Sequence, residues 1–279
     1  MINDLEFNNP SIIDRIKSML NVDFYRLLHT PLFYIFLGIA AIIPALVSMG
    51  MSTTDPVTGQ ITGTTLENIW IMVAVKNPLY VVNNIAEYAN MNMVFIFGGI
   101  MVSIFIGHDY KSGYVKQLFT THAKKQDYMI SKTITCAFAM VCMCVTYLIG
   151  TIVSGVFNSI SFDIDIVSLI LAVIGKMIMS FGWASLYVFL NIIFRRYFGI
   201  SIASSFFFGT GILIIGAGSI IDSLSLKSSV LNLFLYGSSV NACLNSNVWT
   251  LFTCLLVSLM WTIIYNFFGT KILNSSDVY

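Results

Sequence analysis

The sequence predicts an all-α, polytopic membrane protein with six transmembrane helices, and two observations carry that expectation. Six long apolar runs alternate with short polar gaps, and nearly all the positive charge falls in every second gap. Charged residues make up 10% of the 279, against about 25% in a typical soluble protein. The runs are Pro31–Met51, Met91–Gly107, Thr133–Val153, Ile166–Phe194, Ile200–Ile221 and Trp249–Phe268. About 20 apolar residues at 1.5 Å each cross a hydrocarbon core of roughly 30 Å. The runs do not alternate polar and apolar residues as barrel strands do, and a helix satisfies its own backbone in lipid. The second run is the shortest, and residues 79–90 are expected to extend it outward.

Ahead of the first run lies an amphipathic stretch, Ser11–Leu28. Ile12, Ile13, Ile16, Met19, Leu20, Phe24, Leu27 and Leu28 recur at helical spacing, with Asp14, Arg15, Lys17 and Arg26 largely elsewhere on the wheel. This predicts a helix lying in the membrane interface. Without a small-residue cleavage site after a short apolar core, it does not read as a secretory signal.

The basic residues orient the chain. Arg15, Lys17 and Arg26 precede the first run; Lys111, Lys116, Lys124, Lys125 and Lys132 lie between the second and third; Arg195 and Arg196 lie between the fourth and fifth; Lys271 is in the tail. The opposite gaps hold only Lys76 and Lys227. By the positive-inside rule both termini are cytosolic. No gap is long enough for a sizeable soluble domain, so residues 1–279 read as one membrane domain. The net charge of +1 gives no reason to expect nucleic acid.

Little in the chain reads as chemistry. Of Cys136, Cys142, Cys144, Cys243 and Cys254, four fall in apolar runs, and their number is odd, against a disulfide framework. His29, His108 and His122 form no metal-binding pair, and no metal is expected. No Gly-x-x-x-x-Gly-Lys-Ser/Thr phosphate loop occurs, and Gly209-Thr210-Gly211 lies inside an apolar run rather than after a soluble strand. The one charge within a run is Lys176. Nineteen residues separate it from Arg195, roughly 28 Å of helix, so it is expected at the outer interface with its amine snorkelling to water. The alternative is a substrate contact in an outer vestibule.

The gap between the second and third runs is the most specific segment. Val115, Leu118 and Phe119 fall at helical spacing, predicting a short amphipathic helix flanked by Lys111 and Lys116. Read in order, Asp109, Lys111, Gly113, Lys116, Lys125, Tyr128 and Lys132 resemble the loop after the second helix of ABC-2 type permeases, the membrane subunits of ABC exporters; Tyr114 departs from the usual Thr or Ser. Asp23-Phe24-Tyr25-Arg26, followed by Pro31-Leu32-Phe33-Tyr34, is similar to that family's approach to its first helix. Lys271–Asp277 resembles its short tail.

The resemblance implies a half-transporter. A second permease, as a copy or a paralogue, would complete the translocation pathway. Two separate ABC ATPase subunits would bind ATP and magnesium, and this chain would hold no cofactor. Residues 109–132 would then form the coupling helix, with Asp109, Lys111, Gly113, Lys116, Leu118, Phe119, Lys125 and Tyr128 as the ATPase-coupling residues. In the family, spans two and five line the path. Gly99, Ser103 and Gly107 repeat every four residues in span two, and Ser201, Ser205 and Gly209 do so in span five. Such stripes let helices approach closely, and by resemblance they would form the closed inner face of the pathway. The family also implies a short outer re-entrant segment before the last span, where Val230–Tyr236 is apolar. Thr64–Ala74, with Trp70, is a candidate outer interfacial helix. Phe206-Phe207-Phe208 reads as lipid-facing. The function expected is ATP-driven export of an amphipathic peptide, bacteriocin immunity included, or of a drug, across a bacterial-type cytoplasmic membrane. An ATP-independent channel or scaffold is the alternative, and an intramembrane enzyme is disfavoured by the missing acid–base groups.

Overall fold

The computed structural model describes residues 11–50, 52–54, 61–64, 68–73, 90–120, 123–163, 166–213, 216, 228–244 and 247–275. Nine helices are described: α1 (Ile12–His29), α2 (Pro31–Gly50), α3 (Met93–Lys111), α4 (Tyr114–Thr120), α5 (Lys125–Phe157), α6 (Ile166–Ile193), α7 (Phe198–Gly209), α8 (Leu235–Leu244) and α9 (Val248–Ser275), with single 3-10 turns at Ile69–Met72 and Ser228–Leu233. Among the described residues the fold is all-α apart from a two-stranded hairpin, Ser52–Thr54 antiparallel to Ile61–Thr64, in the gap between the first two runs.

Among the described residues, α2, α3, α5, α6 and α9 are long and apolar enough to cross a membrane. Their outward faces carry Ile35, Ile42, Leu46, Ile149, Val153, Ile170, Leu259 and Phe267, all exposed. Water would make that arrangement costly, and lipid removes the cost. The chain is a multi-pass membrane protein.

The expected fifth span differs. The run Ile200–Ile221 is helical from Phe198 to Gly209 and then breaks: Thr210 caps the helix and Gly211 turns at φ 68°. Ile212, Leu213 and Gly216 are helical again; residues 217–221 lie outside the described residues. The break has a packing cause. The ring of Tyr236 lies so close to Gly211 that a Cβ there would meet it at 2.2 Å. Only glycine combines that approach with the positive φ.

The helix boundaries depart from the apolar runs where charges begin. α3 continues past Gly107 through Asp109 to Lys111, and α5 starts at Lys125, so Tyr128 and Lys132 are helical rather than loop. The extension expected at residues 79–89 lies outside the described residues.

α5 and α6 form the centre. α2 closes on α5 where Gly150 has no side chain; a Cβ there would meet the Ala41 carbonyl oxygen at 2.1 Å. Ser48 Oγ and Ser154 Oγ hydrogen-bond at 2.5 Å beside it, four residues beyond Pro44, the proline inside α2. α9 packs along α6, with Ser258 Oγ donating to the Ile178 carbonyl at 2.8 Å. The 228–244 segment inserts between α6 and α9: Trp261 Nε1 donates to the Leu233 carbonyl at 2.8 Å and Trp183 Nε1 to Ser239 Oγ at 3.0 Å. Leu235 touches Gly182, eleven residues from the end of α6, so the tip lies about 16 Å into the bundle. α7 breaks at Gly209, twelve residues from its own start, which is about 18 Å. The two irregular segments therefore meet at one level. Nearby, Phe95 stacks on Trp183 at 5.3 Å, and the Tyr187 hydroxyl donates to the Phe95 carbonyl at 2.8 Å.

Of the stretch Thr64–Ala74, residues 65–67 and 74 lie outside the described residues, while the described residues 68–73 hold a 3-10 turn at Ile69–Met72. Asn68 caps it, accepting from the Trp70 amide at 2.9 Å. Trp70 is buried, 5.8 Å from the Phe162 ring, so it packs on the protein instead of lying along a membrane surface.

Candidate functional site

α1 is amphipathic in an unusual sense. Ser11 caps it, accepting from the Asp14 amide at 3.2 Å. Ile12, Ile13, Val22, Tyr25 and Leu28 face outward, whereas Asp23 is fully buried beside Leu27. The outward apolar side suits a membrane interface. The inward side carries the charge, because its partners lie in the bundle.

Those partners come from three elements. α3 delivers Asp109 in its last turn, and α5 delivers Ser131 and Lys132 two turns from its start. Lys132 Nζ lies 2.7 Å from Asp23 Oδ1 and 2.6 Å from Asp109 Oδ2; all three side chains are excluded from solvent. Ser131 Oγ donates to the second Asp23 oxygen at 2.7 Å. Arg26 pairs with Asp109 Oδ1 and stands 4.0 Å from Asp23. Two carboxylates and two cations balance. A buried charge without such partners costs several kcal/mol, so every member here depends on the others.

Aromatic rings close the site. The Arg26 guanidinium sits over the Tyr114 ring at 4.1 Å, and Lys132 Nζ lies 4.7 Å from Phe105 and 5.5 Å from Tyr128. Ring faces attract cations most strongly when water is excluded. Burial lowers the Arg26 pKa, but the Asp109 carboxylate outweighs it and the net direction is upward. Burial pushes the Tyr114 phenol up, with Asp23 adding to it, so the ring is neutral at physiological pH.

Tyr114 begins α4, and that ties the short helix to the network. The Ser112 amide caps α3 on the His108 carbonyl at 2.9 Å, and Gly113 reverses the chain at φ 75°. Nothing lies within 4 Å of a Cβ at Gly113, so conformation rather than space calls for glycine there. On α4, Val115 is buried and Leu118 and Phe119 are half-buried, with the Phe119 ring 5.7 Å from Tyr128. The three apolar side chains of α4 therefore face the bundle. Lys116, Gln117 and Thr120, with Lys111 and Ser112 beside them, form the exposed side. A second clamp lies next to it: Arg15 Nε to Asp127 Oδ2 at 2.8 Å, joining α1 to the first turn of α5, where an acid also suits the helix dipole. Lys125 Nζ donates to the Leu273 carbonyl of α9. These contacts collect Arg15, Arg26, Lys111, Lys125 and the start of α7 at one end of the bundle, the basic end; the hairpin segment and the Asn68–Ser161 bridge lie at the other. His122 lies outside the described residues.

The small-residue stripes meet each other within the chain. Ser103 Oγ and Ser205 Oγ are 2.8 Å apart, and Asn191 Nδ2 donates to Ser103 Oγ at 3.1 Å while its carbonyl accepts from Ser201 Oγ. A Cβ at Gly99 would meet Tyr187 at 2.8 Å, one at Gly107 would meet Phe198 at 2.4 Å, and one at Gly209 would meet the Ile96 backbone at 2.9 Å. The stripes form the α3–α7 seam, with Asn191 of α6 as its lock. Phe206, Phe207 and Phe208 are exposed.

Lys176 departs from the position expected of it. It does not snorkel: its side chain is fully buried, Nζ donates to Asn92 Oδ1, and the Phe95 ring lies 5.8 Å away. The start of α3 covers this stretch of α6, and the amine turns to it rather than to water.

Sequence patterns single out none of Ser131, Phe105 and Asn191, and they mark Asp23 only as part of the approach to the first span, not as a member of a buried network. One signal was present. On a wheel of about 100° per residue, Asp23 falls within about 40° of Ile16, Met19 and Leu27, and an acid on an apolar face asks for a buried partner. No protein-family model and no curated protein sequence matches this chain.

Proposed function

We propose that this chain is the membrane-spanning permease subunit of an ATP-driven ABC exporter of the ABC-2 type. In this reading it pairs with a second permease, works with two separate ATPase subunits, and has its basic end and both termini in the cytosol. The observation that carries the reading is the attachment of α4. A basic loop that served topology alone would need no buried anchor. Here α4 leans through Tyr114 and Phe119 on a largely buried ion network spanning α1, α3 and α5, so a push on its exposed side is transmitted to three helices. The irregular backbone where α7 breaks against the 228–244 insert adds support. At membrane depth such backbone is tolerated where protein buries it or where it lines a path. Amphipathic peptides or drugs are the proposed cargo.

The test uses the native complex in proteoliposomes. ATPase activity should co-purify with this chain and fall at least fivefold when Lys116→Glu and Gln117→Glu are combined, with the thermal midpoint of the chain unchanged. Cargo flux that persists without any ATPase would point instead to a channel. An ATPase indifferent to the double variant would sink the coupling role of α4.

A further inference from the structure

A second polar feature at the basic end plays no part in the ion network. A cavity of about 210 Å³ opens between the end of α3, the end of α6 and the start of α7. Lys111, Arg195 and Arg196 line it, and no carboxylate does. Tyr110 also lines it, and its hydroxyl oxygen is buried and has no hydrogen-bond partner. Leaving such a group unpaired costs about 1–3 kcal/mol, so a missing acceptor is implied. The first turn of α7 adds donors. Its N-cap, Tyr197, makes no side-chain cap; Phe198 stands at the cavity wall, and the first intrahelical bond, from the Ser201 amide to the Tyr197 carbonyl, leaves the amides before it without a partner in the helix. Unfilled amides at a helix start favour an anion.

We propose that this cavity binds the phosphate of an anionic phospholipid in the leaflet at the basic end. Three cations and a phenol donor attract a phosphodiester, and the same cations repel the ammonium of a zwitterionic headgroup, so a net-anionic lipid is favoured. Drug-sized pockets run from about 300 Å³, so the volume fits a headgroup and not a whole cargo molecule. Ile193, Tyr197, Phe198 and Ile200 are exposed around the mouth, where acyl chains would lie. A free anion would gain nothing from that apolar rim. The site stands independently of transport.

The test measures thermal unfolding of the purified full chain in detergent, because a ligand that binds the folded state raises its midpoint. The probes are dioctanoyl phosphatidylglycerol, dioctanoyl phosphatidylcholine and inorganic phosphate at equal concentrations. Phosphatidylglycerol should raise the midpoint saturably, and the other two should not. Arg195→Gln with Arg196→Gln should weaken phosphatidylglycerol at least tenfold. Tyr110→Phe should weaken it two- to tenfold, and it decides the matter alone if the double variant fails to fold. Lys271→Gln, a charge change elsewhere at the same end, should leave it unchanged. Equal stabilisation by phosphatidylcholine, full stabilisation by inorganic phosphate, wild-type affinity in both site variants, or an equal loss in Lys271→Gln would each overturn the proposal.

Discussion

Lys132 holds two carboxylates at once, and that makes it the most consequential single side chain at the basic end. Removing one partner of a buried ion pair costs about 3–5 kcal/mol, whereas replacing the whole pair by apolar groups is often neutral. Lys132→Met should therefore destabilise the chain by about that amount, since Asp23 and Asp109 then share Arg26 alone. Asp23→Leu combined with Lys132→Met leaves Asp109 balanced by Arg26 and should recover most of the loss. Chemical or thermal unfolding in detergent measures both; a double variant as unstable as the sum of its singles would refute the pairing. Hydropathy does not reveal such residues. A window average stops at the first charge, so Asp109 and Lys132 fall outside the apolar runs although both lie within helices. Their identities were visible in the loop motif, but their burial depends on Asp23 and Arg26, about a hundred positions away in sequence.

The helices meet through surfaces made of absence. Gly150 admits the α2 backbone, and Gly107 and Gly209 admit a ring and a backbone. Gly150→Ala should cost about 1–3 kcal/mol, because a carbonyl oxygen, unlike a flexible side chain, cannot swing aside. Gly38→Ala should be neutral or better, since nothing lies within 4 Å of that site in α2. Comparing the two thermal midpoints checks the account. The α3–α7 seam makes a separate prediction: cysteines replacing Ser103 and Ser205 should crosslink within one chain and leave its gel mobility monomeric. A crosslink that appears only between chains would displace the seam. Both stripes were legible from their four-residue repeats. Their meeting was not, because a stripe does not name its partner. The break in α7 was also hidden, since Gly209-Thr210-Gly211 reads as ordinary apolar helix until Tyr236 arrives from another element.

At the scale of the whole molecule, charge and apolarity are sorted along two axes. Apolar side chains face outward around the belt, and the described cations gather mainly at one end. The proposed orientation follows from that gathering. In intact cells, a cysteine replacing Thr53 should react with an impermeant maleimide, and one replacing Lys116 should react only after permeabilisation. The reverse pattern would invert the topology. Five spans were readable because length and hydropathy are summed along the chain. The insert at 228–244 and the inward turn of Lys176 were not, because they depend on which helices become neighbours. The ion network has one more consequence, and it concerns time. Arg15 meets Asp127, and Asp23 meets Lys132, across 112 and 109 positions of sequence. At about 5–20 residues per second, a ribosome needs roughly 5–20 s to reach the second member of each pair. Until then the Asp23 carboxylate on the inward face of α1 has only Arg26, 4.0 Å away on the same helix, to balance it. Made before its partners, α1 is therefore among the last of the described helices to settle, and any factor that shields it during synthesis acts within that interval.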